Sequence, residues 1–388
     1  MMDKRKLVVL LFQLNMLLAV FMPDAYLGIA DYWYFIVFIC FIGVFNLKKI
    51  LPQDRTILFY LKILASLQLI ASIISLFVAG KITSGYLFSY VLWIIFFFIC
   101  INHRFNSEEI KKIFSGYILS DALIVLIIIV QRTDYYGSGG ERFTIQILGH
   151  EKFDPNFLAA YLVFPCIICF SRLLFKFKKK DLFLFLLIIV GLLMTASRSA
   201  MLCSTLGIIC CVISNGIYTK KIKNIFKYAL LISFLLIVVL LFLPEATYDR
   251  LFVTSYNDGS NEKRLLDWSL GIASFLQRPI LGYGMIGEMD TIMMATNQKY
   301  IAHNTFIAFL MHYGIVGTLI ILGGIIGLTI KILKKKEFIL FGCLISLLFS
   351  CFLISAQVAV FWWTPIILIT CCIQNLYRGY NKNFIEFI

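Results

Sequence analysis

The chain has 388 residues, of which 61% are hydrophobic and only 14% are charged, and its formal net charge is +14. A soluble globular protein is typically about 45–50% apolar, so this composition excludes that class and predicts a polytopic membrane protein. The basic residues are divided among short loops and are not interleaved with aromatic residues, which argues against nucleic acid as a partner.

Twelve apolar runs are long enough to cross a hydrocarbon core about 30 Å thick as a helix. We therefore predict an all-α polytopic protein with about twelve transmembrane helices, in which residues 1–388 form a single integral membrane domain. No small-residue cleavage site follows the first run, so we expect it to be retained as a helix. The predicted spans are 6–22, 30–46, 57–79, 85–101, 114–131, 156–175, 182–196, 199–215, 225–243, 302–323, 338–354 and 357–376.

The orientation follows from the distribution of lysine and arginine. These residues are concentrated in alternate loops, starting with Lys4, Arg5 and Lys6 at the amino terminus. Because basic loops stay in the cytoplasm, we expect both termini to be cytoplasmic. Two long loops, about 132–155 and about 244–300, then fall on the outer face. Long loops are usually functional or disordered, so these two segments are where we look for a site.

The second long loop contains a helical pattern that ends at Arg278-Pro279. Its apolar members are Leu265, Trp268, Ile272 and Phe275, opposite Arg264, Asp267, Gly271 and Ser274. This spacing predicts an amphipathic surface helix over about 262–277. A tight turn is expected at Gly282-Tyr283-Gly284.

Four arginines lie on the outer side, where the positive-inside bias disfavours them. Guanidinium groups bind phosphate oxygens in a bidentate fork, so these arginines are candidate phosphate ligands, although pairing with a neighbouring carboxylate is the alternative for each. One of them occupies the short connection Thr195-Ala196-Ser197-Arg198-Ser199, close to the hydrocarbon boundary, where a charge usually faces a cavity or a partner. The four are Arg142, Arg198, Arg264 and Arg278.

His303 is one of only four histidines, and it stands where the long outer loop enters the next apolar run. An imidazole with a pKa near 6.5 can accept a proton at neutral pH, so His303 is a candidate general base. The alternative is a histidine that only caps the helix. Gly314 and Gly317 fall close to the face of His303 and would let another helix approach.

Asp154-Pro155-Asn156 is a strong helix start, since aspartate caps and proline favours the first helical position. The positive end of that helix would face the outer side, where it could bind an anion, although capping alone explains the motif as well. All eleven cysteines lie in apolar runs. We therefore expect neither a disulfide framework nor a metal site, and no cofactor.

Several short motifs occur in a fixed order. They are Asp154-Pro155-Asn156 with Ala159-Ala160; Thr195-Ala196-Ser197-Arg198-Ser199; Arg264 with Trp268; Pro279-Ile280-Leu281-Gly282-Tyr283-Gly284; and His303-Asn304-Thr305-Phe306 with Gly314-Ile315-Val316-Gly317. In this order, over roughly 140–320, the chain resembles the O-antigen polymerase and ligase superfamily of Wzy-type polymerases and WaaL-type ligases. The family commonly has a small residue where Lys263 stands, so either Lys263 or Arg264 could be the one that reaches a phosphate.

The resemblance implies a GT-C-like glycosyltransferase in the bacterial cytoplasmic membrane, with its active site on the outer face and no metal. The implied donor is an oligosaccharide on undecaprenyl diphosphate, the acceptor is a glycan hydroxyl, and a flippase and a chain-length regulator are expected partners. By carry-over, His303 is the base, and Arg264 with Arg142 and Arg198 holds the diphosphate. Asn304 and Trp268 would orient the histidine and line the sugar path.

Three functions remain open at this point. The first is a polymerase that joins repeat units of O-antigen, capsule or exopolysaccharide, and the second is a ligase that moves finished glycan to another acceptor. The third is a transporter of a lipid-linked glycan or a small anion. A transporter would show related halves or interrupted helices. The sequence shows neither, so we expect glycosyl transfer and favour the polymerase.

Overall fold

The structure, a computed structural model, describes residues 4–21, 43, 46–137, 140–146, 152–219, 230, 248, 260–357, 359–381 and 383–388. The described helices are α1 (Lys4–Phe21), α2 (Arg55–Ala79), α3 (Ser84–His103), α4 (Ser107–Gln131), α5 (Pro155–Phe175), α6 (Lys179–Met194), α7 (Arg198–Thr219), α8 (Ser260–Gln277), α9 (Glu288–Thr296), α10 (Thr305–Lys334), α11 (Phe338–Cys351) and α12 (Val360–Arg378). Short 3₁₀ turns occupy Pro52–Asp54 and Phe384–Phe387.

The chain is a multi-pass membrane protein, predominantly helical. Among the described residues, seven helices are long and apolar enough to cross a membrane, and α11 is a shorter apolar helix. The seven candidate spans are Pro52–Ala79, Ser84–His103, Ser107–Gln131, Pro155–Phe175, Arg198–Tyr218, Thr305–Lys334 and Val360–Arg378. Except for isolated positions, the predicted spans 30–46 and 225–243 lie outside the described residues. The total of twelve therefore stays a prediction.

A β-hairpin stands in the first long loop, which the sequence analysis left without secondary structure. Strand β1 (Thr133–Gly137) pairs antiparallel with β2 (Gly140–Thr144). The ladder runs from Thr133 opposite Thr144 to Gly137 opposite Gly140, so the strands are joined by two residues. Tyrosine, phenylalanine and threonine favour strands, and glycines favour the tight connection. The hairpin carries Arg142 on β2.

Helix α10 is interrupted at Gly314, whose φ of 59° and ψ of −167° are not helical. The expectation of no interrupted helix was therefore wrong. In a continuous helix, the carbonyls of Met311 and His312 would accept from the amides of Ile315 and Val316. Here those four groups bond to the segment 279–284 instead.

Four backbone hydrogen bonds join the break to the segment 279–284: in two of them the break accepts, and in two it donates. The amides of Tyr283 and Gly284 donate to the carbonyls of Met311 and His312, both at 2.8 Å. The amides of Ile315 and Val316 donate to the carbonyls of Pro279 and Ile280, at 2.8 and 3.3 Å. We call this exchange, between residues 279–284 and 311–316, the backbone clip. It satisfies the backbone groups that the break exposes, as a membrane interior requires.

The glycines of the clip allow this close approach. Gly282 and Gly314 both have positive φ. A Cβ at Gly282 would overlap the carbonyls of Met311 and His312, and one at Gly314 would overlap the carbonyl of Ile280. Gly314 therefore admits a loop backbone rather than the neighbouring helix that the sequence predicts. Gly317 packs against Leu67 of α2 and its own neighbour Tyr313.

The clip predicts that Gly314→Ala destabilises the protein. The conformation at Gly314 is essentially restricted to glycine and costs another residue about 1–3 kcal/mol. The new methyl group would also collide with the Ile280 carbonyl. We expect the melting temperature in detergent to fall by several degrees. Gly323→Ala in the same helix is the matched control, because its Cβ would meet nothing within 4 Å. Equal melting temperatures for the two variants would contradict the clip.

Candidate functional site

Helix α8 packs with its polar face against the start of α10. The side chains on this face are Asp267, Leu270, Gly271 and Ser274, all buried. Leu270 belongs to a small apolar cluster with Ala302, Ile307 and Met311. A Cβ at Gly271 would stand 2.5 Å from Ile307, so the glycine sets how closely the two helices approach.

Part of the apolar face of α8 points away from the protein, whereas Trp268 and Phe275 on that face are partly buried against the apolar cluster. Leu265, Ile272 and Leu276 are exposed, and the first and third retain 63% and 64% of their accessible surface. The helical pattern in the sequence located the helix but gave no sign that its polar side would be the buried one. An exposed apolar face on a membrane protein is suited to contact with lipid.

His303 stands just outside helix α10, in a left-handed conformation with φ of +47°. It is flanked by two fixed residues. The amide of Ala302 donates to a carboxylate oxygen of Glu288 at 3.2 Å, and Asn304 is the helix N-cap, with its side-chain oxygen accepting from the amides of Phe306 and Ile307. Asn304, and not His303, is therefore the residue that caps α10. Non-glycine residues with positive φ are uncommon and are concentrated at functional sites.

Four charged side chains surround His303. Burial lowers the pKa of His303 below its ordinary value of 6.5. The carboxylates of Asp267 and Asp154 oppose this shift, and Lys263 and Arg264 add to it. A lowered pKa leaves the imidazole neutral at pH 7, which is the form that can accept a proton.

Asp267 is the buried carboxylate of this group. It is 1% exposed, and neither of its oxygens has a hydrogen-bond partner among the described residues. Burial raises its pKa, while His303, Lys263 and Arg264 lower it. The indole nitrogen of Trp268 is likewise buried without a described partner. One turn of α8 thus carries two buried polar groups, the Asp267 carboxylate and the Trp268 indole nitrogen, that have no hydrogen-bond partner among the described residues.

A second polar group joins the hairpin to α5 and α7. Arg142 is buried and donates from Nη1 to the side-chain oxygen of Asn156 at 3.1 Å, while its Nε has no partner among the described residues. The hydroxyl of Ser197 donates to the same oxygen at 3.4 Å and lies 3.1 Å from the hydroxyl of Ser199. Asn156 thus holds together the hairpin and the turn before α7.

Asp154 connects the two groups. It is the N-cap of α5, and its side chain accepts from the amide of Asn156 at 2.7 Å. It also contributes electrostatically to His303. The structure therefore brings residues from β2, α5, α8 and the α9–α10 connection to one place, although they are up to about 160 positions apart in the sequence.

The two remaining arginines are placed differently. Arg198 is the first residue of α7, half-exposed, and adjacent to Ser197. Arg278 is exposed and its guanidinium lies over the ring of Tyr283 at 5.4 Å, beside the backbone clip. Thirteen helical residues separate Arg264 from the end of α8, which is about 20 Å. A role for Arg278 in donor binding stays a prediction without support from its position.

Glu288 is a site residue that the sequence analysis missed. It is fully buried and accepts from Ser355 at 2.8 Å and from Gln357, besides the amide of Ala302. Burial raises its pKa. Its partners on the α11–α12 connection are 67 and 69 residues away in the chain, so no local pattern indicates the contact. By tying that connection to Ala302, Glu288 fixes the backbone on which His303 stands.

Within the described residues, no group of three or more His, Cys, Asp or Glu side chains is arranged to hold a metal ion. The charges at the site are instead two carboxylates and the cations Lys263, Arg264 and Arg142. Such a set can accept a proton at His303 and bind an anionic group beside it.

Residues 183–322 match the model of a protein family described as O-antigen ligase. This match covers a little over a third of the chain and supports the O-antigen polymerase and ligase superfamily that the motifs indicate. The matched part runs from α6 into α10 and includes His303 and three of the four candidate arginines, whereas Arg142 precedes it. Members of the family transfer glycans, so the match supports glycan transfer of the ligase or polymerase type. No curated protein matches the chain.

The charges around His303 predict how its pKa changes when one of them is removed. Asp267→Asn removes a negative charge that favours the imidazolium, so the pKa of His303 should fall further. Lys263→Gln removes a cation and should raise it. Both changes can be followed by NMR of the imidazole in labelled protein. Glu262→Gln, an exposed change on the same helix, is the control. If the pKa of His303 were unchanged in Asp267→Asn, the carboxylate of Asp267 would not act on His303.

Proposed function

We propose that the protein is a polysaccharide polymerase that transfers glycan repeat units from undecaprenyl diphosphate to a sugar hydroxyl at the outer face of the bacterial cytoplasmic membrane. The observation that supports this best is the neutral His303 beside Lys263 and Arg264, within the segment that matches a glycan-transferring family. A base for a hydroxyl and cations for a diphosphate are the two things that such a transfer needs.

In the proposed step, the acceptor hydroxyl attacks the anomeric carbon of the donor sugar. The hydroxyl proton passes to His303, the new glycosidic C–O bond forms, and the bond between the anomeric carbon and the diphosphate oxygen breaks. The electron pair leaves with the diphosphate, and the products are the lengthened glycan and undecaprenyl diphosphate. No covalent intermediate with the protein is required.

The cations supply stabilisation of the leaving group. Negative charge grows on the diphosphate as the bond breaks, and fixed cations in a partly dehydrated site act on it strongly. Lys263 and Arg264 share one turn of α8, so either or both can bind the phosphates. Arg142 and Arg198 stand on the hairpin side, around Asn156 and Ser197, and are the proposed second contact. With this set we expect the reaction to need no metal.

A ligase is the second candidate, favoured by the description of the family that residues 183–322 match. Donor and chemistry would be the same, and only the acceptor would differ. Incubation with a lipid-linked repeat unit alone discriminates between the two. A polymerase makes ladders of longer glycan from this donor, whereas a ligase makes no product until its own acceptor is added.

The interrupted helix α10 is one feature that favours a transporter, because transporters use such breaks to bind their substrates. The break in this protein, however, is bonded to the chain's own segment 279–284 on both sides. Its backbone groups are therefore not available to a substrate. A defect in carrier flipping with normal elongation of externally supplied donor would nevertheless favour transport.

The central prediction concerns His303 and Arg264. Loss of a general base typically reduces turnover by about 10²–10⁴-fold, so His303→Ala should leave almost no elongation. Arg264→Ala should reduce it by about 10²–10³-fold, as loss of a preorganised charge contact does. Purified protein in vesicles with a lipid-linked repeat unit, with and without a chelator, is the assay, and product length and released undecaprenyl diphosphate are the readouts.

The matched control is Lys299→Ala, which removes an exposed cation four residues before His303. We expect wild-type elongation from this variant. Normal chain lengths from His303→Ala or Arg264→Ala would refute the assigned roles. Inhibition by the chelator would refute the metal-independent step while leaving the glycan transfer intact.

The pH dependence follows from the lowered pKa of His303. The neutral imidazole is the active form, so elongation should be fully present near pH 7 and decline as pH falls through the folded pKa, with a midpoint below 6.5. Lys263→Gln should move this acid limb to higher pH. Turnover measured between pH 4.5 and 8 tests both statements, and an acid limb above 6.5 would contradict them.

A further inference from the structure

A deep groove lies at the opposite end of α10 from His303. Its volume is about 210 Å³, and α2, α3, α10, α11 and α12 form its walls. On α2 the lining runs from Thr56 to Gln68, on α10 from Ile321 to Lys331 apart from Phe309, and on α12 from Trp362 to Ile373. Lys331 is three residues from the end of α10, whereas His303 precedes its start. The groove therefore reaches the end of α10 that lies away from the proposed site.

Two stretches of the groove wall have about the length of one leaflet, and the lining continues to Phe309 and Trp362 in the first turns of α10 and α12. Ten helical residues from Ile321 to Lys331 rise about 15 Å, and twelve from Thr56 to Gln68 rise about 18 Å. A hydrocarbon core of about 30 Å gives about 15 Å for each leaflet. The space is thus long enough for an acyl chain that enters at the Lys331 end.

Most side chains of the groove wall are apolar, although the hydroxyl of Tyr90 is buried there without a partner among the described residues. Three of its polar side chains already bond within the protein. The hydroxyl of Tyr60 donates to the carbonyl of Ile321 at 2.9 Å, and that of Thr370 to the carbonyl of Ile366 at 2.8 Å. Gln68 accepts from Tyr313 at 3.0 Å. A hydrocarbon chain can therefore lie against them without leaving these groups unsatisfied.

Two glycines give the groove part of its width. Gly323 and Gly327 of α10 line it, and a Cβ at either position would meet nothing within 4 Å. Neither has positive φ. A large side chain can therefore be placed there without backbone strain, and it would project into the space.

The mouth of the groove carries positive charge. Lys331 lines it and lies within electrostatic range of Asp54. Asp54 is already paired with the buried Arg378 and accepts from Gln374 at 2.7 Å. Two cations and one carboxylate leave a net charge of +1 at this end. A lysine at the end of an apolar wall reaches the headgroup level and attracts an anionic headgroup.

From this combination we infer that the groove binds an acyl chain of an anionic phospholipid, from the leaflet opposite to the glycan site, with the headgroup at Lys331. This lipid is distinct from the proposed donor. The donor's diphosphate would lie near His303, at the other face, so its prenyl chain would enter the membrane from the other end. The bound phospholipid is a resident ligand that no step of the proposed transfer uses.

Trp362 and Trp363 line the groove and provide the readout. The full chain is placed in nanodiscs of phosphatidylcholine that contain a small fraction of phosphatidylglycerol. Bromine atoms on the acyl chains of one or the other lipid quench tryptophan fluorescence on contact. We expect brominated phosphatidylglycerol to quench about fivefold more per molecule than brominated phosphatidylcholine, the preference given by about 1 kcal/mol per interfacial lysine.

Two pairs of variants distinguish the effect of the Lys331 charge on lipid binding from the effect of the width of the groove. Lys331→Gln should remove the preference for phosphatidylglycerol, whereas Lys334→Gln, an exposed lysine three residues on, should keep it. Gly327→Leu should reduce quenching by both lipids, whereas Gly85→Leu, at an open and exposed position of α3, should not. Melting temperatures of all four verify that they fold.

Equal quenching by the two lipids in the wild type would overturn the inference, as would unchanged quenching in a folded Gly327→Leu. Undecaprenyl phosphate that abolishes the quenching equally well in wild type and Lys331→Gln would also overturn it, because the groove would then take a prenyl chain. None of these readouts depends on glycan transfer, so failure here and failure of the proposed function are distinguishable.

Discussion

The architecture of the candidate site depends on four backbone hydrogen bonds between segment 279–284 and the break in α10. A membrane interior does not tolerate unpaired amides and carbonyls, so α10 can be interrupted only because another piece of backbone takes the place of its lost bonds. That piece directly follows α8. The clip therefore fixes α8 against α10, and with it the distance between the cations of α8 and the histidine before α10.

A second constraint acts from the other side of His303. Its neighbours are held by Glu288, which bonds Ala302, and by the Asn304 cap, so the left-handed backbone at His303 is determined by its flanks. Strain of this kind persists only where the surrounding structure imposes it. The buried carboxylate of Asp267 and the cap residue Asp154 then act on the imidazole in opposition to Lys263 and Arg264. The proton affinity of the histidine is a balance among elements that only the fold brings together.

The sequence was sufficient for features that depend on local pattern. Long apolar runs predicted the helices, and the aspartate and proline before Asn156 predicted the start of α5. The hairpin was missed although Tyr135, Tyr136 and the glycines around it carry a strand-and-turn signal, because the segment was taken only as a long loop. The break at Gly314 had no local signature, since its hydrogen-bond partners lie about 30 residues upstream. Glu288 and the buried orientation of Asp267 depend on tertiary contacts, which periodicity does not report.

The outward apolar face of α8 has a consequence for how substrates arrive. Leu265, Ile272 and Leu276 are exposed apolar side chains that favour contact with hydrocarbon, and the turn carrying Lys263 and Arg264 belongs to the same helix. The proposed donor, a carrier lipid, has its phosphates at the membrane surface. Encounter between carrier and protein then becomes a search over an area instead of a volume, with the headgroup never leaving its plane. For the proposed donor, the relevant concentration is the number of carriers per unit of membrane area.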